Sequence, residues 1–177
     1  MSSKSNSHHR RSIRLKRYDY SQSGRYFLTL CVKGRKHLFG NIVDGEMILN
    51  EAGRFARECW LAIPDHFPRA IVLEFVIMPN HVHGIIELKD KSIEGPNSMP
   101  HEKQKHRFQG MIPRSVSSIV KGFKIGVTKW FRANTEVREV WQRDYYEIVI
   151  RDEEAYHRIA RYIRNNPRNW REDRITG

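Results

Sequence analysis

The chain has 177 residues, about one domain's worth, and its 32 Lys and Arg against 20 Asp and Glu give a formal net charge of +12. That balance excludes an acidic calcium buffer or an acidic solvating tail. It points to a polyanionic partner, most simply nucleic acid, ahead of an acidic membrane surface. A hydrophobic fraction of 39% with four Trp, seven Tyr and eight Phe supplies a core, whereas Cys31 and Cys59 alone cannot build a disulfide framework or a four-cysteine zinc site. No apolar run approaches the ~18 residues of a membrane-spanning helix, and residues 1–17 hold no signal core, so a soluble intracellular protein is expected.

Residues 1–17 carry six basic residues and no acidic one, and 1–20 read as a mobile basic arm that includes His8, His9, Arg10 and Arg11. A single domain then fills 21–177. Residues 25–33, rich in aromatic and β-branched types, read as a strand. Asp44-Gly45 between apolar pairs marks a hairpin over 40–49, because that turn needs positive φ. Asn50 can cap a helix whose Ala52, Phe55, Ala56, Cys59 and Trp60 form one apolar stripe, with Pro64 ending it. Cys59 within that stripe reads as a buried apolar group.

Residues 70–78 are nearly continuous in Val, Ile, Leu and Phe, and read as a central strand. Pro79-Asn80 breaks it, and 81–88 resume as its antiparallel partner. Residues 89–114 lack periodicity, hold three prolines with His101 and His106, and read as a mobile loop. A helix over 115–132 presents Val116, Ile119, Val120, Phe123, Val127, Trp130 and Phe131 on one face, with Gly122 and Gly126 weakening it. Its other face carries Lys121, Lys124, Lys129 and Arg132, solvated and able to touch phosphate. Residues 140–150 read as a short strand or extended segment. Residues 152–165 form a last helix with Asp152, Glu153 and Glu154 at its positive end, stopped by Pro167. The order predicts an α+β fold with helices packed on an antiparallel sheet.

Two features carry chemistry. Side chains two apart in a strand share a face, so His81 and His83 project together and can hold a metal. On the last helix, at roughly 100° per residue from Arg158, the apolar positions cover roughly 60° to 200°. Tyr162 falls near 40° and Asn166 near 80°, one turn apart on the edge of that face, with Arg158, Arg161 and Asn165 just outside it. Asn166 precedes Pro167, which biases it away from helical geometry.

The Met-Pro-Asn-His-Val-His run at 78–83 and the stretch 140–167, ending in Tyr-x-x-x-Asn-Pro, resemble the single-tyrosine HUH transposases of insertion sequences. The REP-associated tyrosine transposases are the most similar branch, and the resemblance spans about 25–170. It implies a ferredoxin-like sheet with both histidines on a central strand and the tyrosine on a C-terminal helix. It implies His81, His83 and Asn166 as ligands of Mg2+ or Mn2+ and Tyr162 as nucleophile, with Tyr145, Tyr146 and Tyr156 as rivals. Many relatives carry a His where this chain has Ile148, which affects contacts around the site rather than these roles.

The implied activity is that of a single-strand DNA endonuclease and strand-transferase forming a 5′-phosphotyrosine. Single-stranded DNA with hairpin-forming repeats is the expected partner of a monomer or homodimer in the bacterial cytoplasm, at the nucleoid. Arg158, Arg161, Lys121, Lys124, Arg10 and Arg11 are the candidate DNA contacts. A domesticated, non-catalytic nucleic-acid-binding regulator is the alternative, and a replication initiator or plasmid relaxase, sharing the His pair, a more distant one.

Overall fold

The computed structural model describes residues 21–90 and 115–170. The predicted basic arm, with Arg10 and Arg11, and nearly all of the predicted loop, with His101 and His106, lie outside them. The chain begins in strand β1 (Gly24–Cys31), whose alternation sends Tyr26, Leu28 and Leu30 to one face and Phe27 and Thr29 to the other. The hairpin follows as β2 (Gly40–Val43) and β3 (Glu46–Leu49), turning through Asp44 and Gly45 at φ of 51° and 78°. Both turn residues have the positive φ that the Asp-Gly pair signals. Asn50 caps helix α1 (Glu51–Leu61), its side chain accepting the Gly53 N–H at 2.9 Å.

Pro64 does not end that helix. α1 stops at Leu61, and Pro64 sits in the first turn of a short helix α2 (Ile63–His66), where its missing N–H has no intrahelical partner to lose. Strands β4 (Ala70–Met78) and β5 (His81–Leu88) form the expected antiparallel pair. Helix α3 (Val116–Asn134) is capped by Ser115 and buries the apolar face read from its periodicity, and β6 (Tyr146–Ile150) and α4 (Glu153–Asn165) complete the chain.

The main sheet has the order β4-β5-β1-β6 with every pair antiparallel. Leaving aside the hairpin and α2, β1-α1-β4-β5-α3-β6 is the connectivity of a ferredoxin-like fold, to which α4 is added. β4 is therefore an edge strand, correcting the expected central one. Its apolar run reflects cover on both faces: Val72, Phe75 and Ile77 join the core of α1 and α3, while Leu73 and Val76 pack with α4. A register shift between Val72 and Phe75 moves the alternation by one residue, which makes the run read as continuous.

The two faces hold separate cores. Trp60, Phe123, Val127 and Phe131 from α1 and α3 cover one. Ile159, Ala160 and Ile163 of α4 cover part of the other, against Ile85 and Ile150. Trp60 lies flat on β5 at Gly84, where a Cβ would come 2.2 Å from its ring. This close approach fixes β5 against α1 and so fixes the strand that carries the histidines. Among the described residues no helix is long and apolar enough to cross a membrane.

Candidate active site

His81 and His83 point from β5 to the face that α4 only partly covers, their ring centroids 4.4 Å apart. The register sets Thr29 of β1 opposite His83, and Thr29 Oγ1 lies 2.8 Å from His83 Nδ1. Tyr162, at the edge of the apolar face of α4, brings its hydroxyl to 3.2 Å from His83 Nε2. Phe27, two residues before Thr29, meets the Tyr162 ring edge-on at a centroid distance of 6.2 Å. These contacts aim a side chain that is otherwise 51% exposed, so the phenol is positioned yet open to a large substrate.

The second histidine is prepared differently. Asn80, the turn residue between β4 and β5, donates its Nδ2 to the Arg35 carbonyl at 3.3 Å, which leaves Oδ1 facing His81 Nδ1 at 2.8 Å. An amide oxygen only accepts, so His81 carries its proton on Nδ1. Among the described residues no group makes a hydrogen bond of good geometry to the buried Nε2. Asn166 lies close enough to the ring to favour a proton there, and Trp170 stacks over it at 5.9 Å. Burial, above all, pushes His81 down to about 4 and His83 to about 3; Arg35 adds to the first shift and His81 to the second, while the Leu28 carbonyl opposes the latter. Both rings are thus neutral at pH 7, the state in which imidazole binds a metal.

Among the described residues no three His, Cys, Asp or Glu side chains converge, and the groups here that could hold a metal are two imidazoles and an amide. An orphaned, buried imidazole nitrogen with an amide alongside it fits a divalent cation. Nitrogen donors suit Mn2+ better than Mg2+, which prefers oxygen.

His81, His83, Tyr162 and Asn166 therefore come together. Asn166 holds helical geometry, at φ −57° and ψ −44°, correcting the departure expected before Pro167. The chain continues through tight turns, with Asn169 N–H on the Asn165 carbonyl, and these bring Trp170 back over His81. Arg158 and Arg161 are both exposed on α4, Arg158 one turn before Tyr162 on the same flank.

Lys121 and Lys124 belong to α3, whose packing lies on the opposite face of the sheet. Lys124 donates to the Gln142 and Asp144 carbonyls at 2.9 and 3.1 Å, and burial pushes it down to about 8. It fastens the segment before β6 rather than standing on a solvated face. Of the rival tyrosines, Tyr145 packs toward α3 with its hydroxyl 3.2 Å from Ser117 Oγ. Tyr156 lies beneath the Arg25 guanidinium at 4.7 Å. Tyr146 shares the site face but stands two strands from His83. Sequence reasoning missed Thr29, Asn80, Phe27 and Trp170. Thr29 was detectable as a polar residue within an apolar strand, and Asn80 as the residue before His81, but their contacts depend on register and turn shape.

An uncharacterized protein of Haemophilus influenzae is 47% identical over 169 residues, covering 95% of this chain and 93% of its own. The chain belongs to the family of that protein. No family model matches. Among solved structures, a REP-associated tyrosine transposase bound to a REP hairpin superposes with a TM-score of 0.60, covering 88% of this chain and 73% of that one at 19% identity. The architecture described above is thus transposase-like.

Proposed function

We propose that the chain cuts single-stranded DNA and joins it to a new end, with the Tyr162 oxygen as nucleophile. The observation that carries this reading is the exposed Tyr162 hydroxyl held 3.2 Å from His83, beside a second buried imidazole to whose Nε2 no described residue makes a hydrogen bond of good geometry. His81, His83 and Asn166 would hold Mn2+ or Mg2+, which when bound supplies positive charge to an oxygen of the scissile phosphate. The His83 Nε2 lone pair can serve either the phenol proton or the cation, so its hydrogen bond to Tyr162 would give way if His83 held the cation through that nitrogen. Burial holds His83 near 3, which makes it too weak a base to take the phenol proton. His83 therefore orients Tyr162 only while its Nε2 is not holding a cation, and Phe27 meets the Tyr162 ring independently of the cation. Arg158 and Arg161, exposed on the same helix, add positive potential that attracts DNA.

In the reaction, the Tyr162 oxygen bonds to phosphorus and the bond to the DNA 3′-oxygen breaks. That oxygen leaves as a 3′-hydroxyl, taking up one proton for the one the phenol lost. A second 3′-hydroxyl then attacks the 5′-phosphotyrosine and regenerates Tyr162. One phosphodiester replaces another, so no external energy source is required, and the covalent intermediate divides the transfer into two steps. A hairpin-bearing strand is the proposed substrate, in keeping with the REP hairpin held by the transposase of similar fold.

The test uses labelled hairpin-bearing single-stranded DNA with manganese on denaturing gels. Wild type should give a labelled band at protein mass that EDTA and Tyr162→Phe both abolish. No band from wild type across a panel of hairpins and metals would favour the binding-only regulator.

A further inference from the structure

The histidine face of the sheet is only partly roofed. α4 packs over β4 and β5 and, near its start, over Ile150 of β6, and past it the same face stays open on β6 at Tyr146 and Ile148. The register places His83, Thr29 and Tyr146 in one row, and Ile85, Phe27 and Ile148 in the next. Ile85 and Phe27 are packed under α4, but Tyr146 and Ile148 are 43% and 53% exposed. Two strand spacings, roughly 10 Å, separate Tyr146 from His83 along its row. An exposed aromatic ring and an exposed aliphatic side chain, adjacent on one face, thus lie in line with the imidazole that holds Tyr162. Arg158, one turn before Tyr162 on the same flank of α4, is exposed beside this strip, and Arg161 is exposed on the outer face of the same helix.

We infer that Tyr146 and Ile148 form a stacking platform for the bases that flank the scissile phosphate. The occupant follows from the chemistry of the strip. A flat apolar surface beside guanidinium groups suits a ligand that is anionic along its backbone and aromatic on its faces, which is single-stranded nucleic acid. The platform is also continuous with the site, since Tyr146 and His83 flank the same Thr29 on neighbouring strands. Ile148 contributes apolar contact without a charge or hydrogen bond, so stacking there tolerates any base. The identity of the ligand rests on the proposed DNA chemistry, but the binding itself requires no cleavage.

The test measures affinity for a mixed-sequence single-stranded oligonucleotide and for a strand of equal length built from abasic sites, with the full chain at one salt concentration. Phosphate contacts act on both strands, whereas stacking acts only on the first. Tyr146→Ala should weaken binding to the base-bearing strand about tenfold and leave the abasic strand unchanged, Tyr146→Phe should bind like wild type, and Ile148→Ser should show a smaller, selective loss. Both side chains are exposed, so melting temperatures should hold and report any misfolding. Equal affinity of wild type and Tyr146→Ala for the base-bearing strand would overturn the platform. If wild type forms no covalent adduct yet Tyr146→Ala shows the selective loss, the platform stands and the nuclease reading falls. If the adduct forms and Tyr146→Ala binds both strands normally, the platform alone falls.

Discussion

At the scale of single residues, the site depends on two neutral imidazoles prepared in different ways. Asn80 fixes the His81 tautomer from the turn, and Thr29 meets His83 from the neighbouring strand. Burial makes both rings liabilities in acid. Their pKa values near 4 and 3 lie below the ordinary value of 6.5, so between those limits the unfolded chain binds more protons than the folded one. Stability of the metal-free protein should therefore be intact above about pH 6.5. It should fall by up to about 1.4 kcal/mol per pH unit per histidine as the pH drops toward 4. Urea melts in EDTA from pH 7.5 down to 4.5 check this, and His83→Gln should flatten the slope; a wild-type midpoint constant over that range would contradict buried neutral rings. Asn166→Ala should slow adduct formation without abolishing it, since a lost ligand weakens the cation and leaves the nucleophile. Full wild-type rates at limiting manganese would remove Asn166 from the donor set.

At the scale of elements, precision comes from close packing behind the site. Gly84→Ala places a methyl group into Trp60, whose ring lies 2.2 Å from the ideal Cβ position. Either α1 or β5 must shift, at a cost of about 1–3 kcal/mol. A urea melt should show that loss, and replacing Trp60 with Leu in the same chain should recover part of it; an unchanged midpoint would mean the contact yields freely. The α4 cap is a second support. Asp152 accepts the Ala155 N–H at 2.7 Å, and Asp152→Ala should cost about 1 kcal/mol.

Much of this framework was legible in the sequence. The Asp-Gly turn, the Asn50 cap, the β4–β5 pair and the buried face of α4 each rest on local backbone chemistry or periodicity, which a single chain displays directly. The two histidines share a face because strand geometry demands it, and Tyr162 lies at the edge of its helix face for a similarly local reason. What stayed hidden depends on partners distant in sequence. The edge position of β4 follows from strand order, and its register shift hid the alternation that would have revealed two separate faces. Lys124 looked like part of a solvated stripe, because its carbonyl partners come from a segment about 20 residues onward. Trp170 reaches His81 only because the turns after Asn165 fold back.

For the whole molecule, net charge and the proposed site make separate contributions. The net charge of +12 suits a polyanion, whereas the proposed chemistry lies in a small cluster on one face of the sheet. Binding to single-stranded DNA should therefore weaken with salt, log K falling against log salt with a slope of about −0.7 for each phosphate neutralised. His81→Ala should leave that slope unchanged while abolishing cleavage. An affinity indifferent to salt would contradict an electrostatic origin. The central claim is that the Tyr162 oxygen becomes bonded to the DNA 5′-phosphate. The most direct measurement traps the wild-type adduct with hairpin-bearing DNA and manganese, digests both components, and locates the phosphorylated tyrosine by mass spectrometry. The nucleotide remnant should lie on Tyr162 alone; a remnant on Tyr145, Tyr146 or Tyr156, with Tyr162 unmodified, would rule Tyr162 out as the nucleophile.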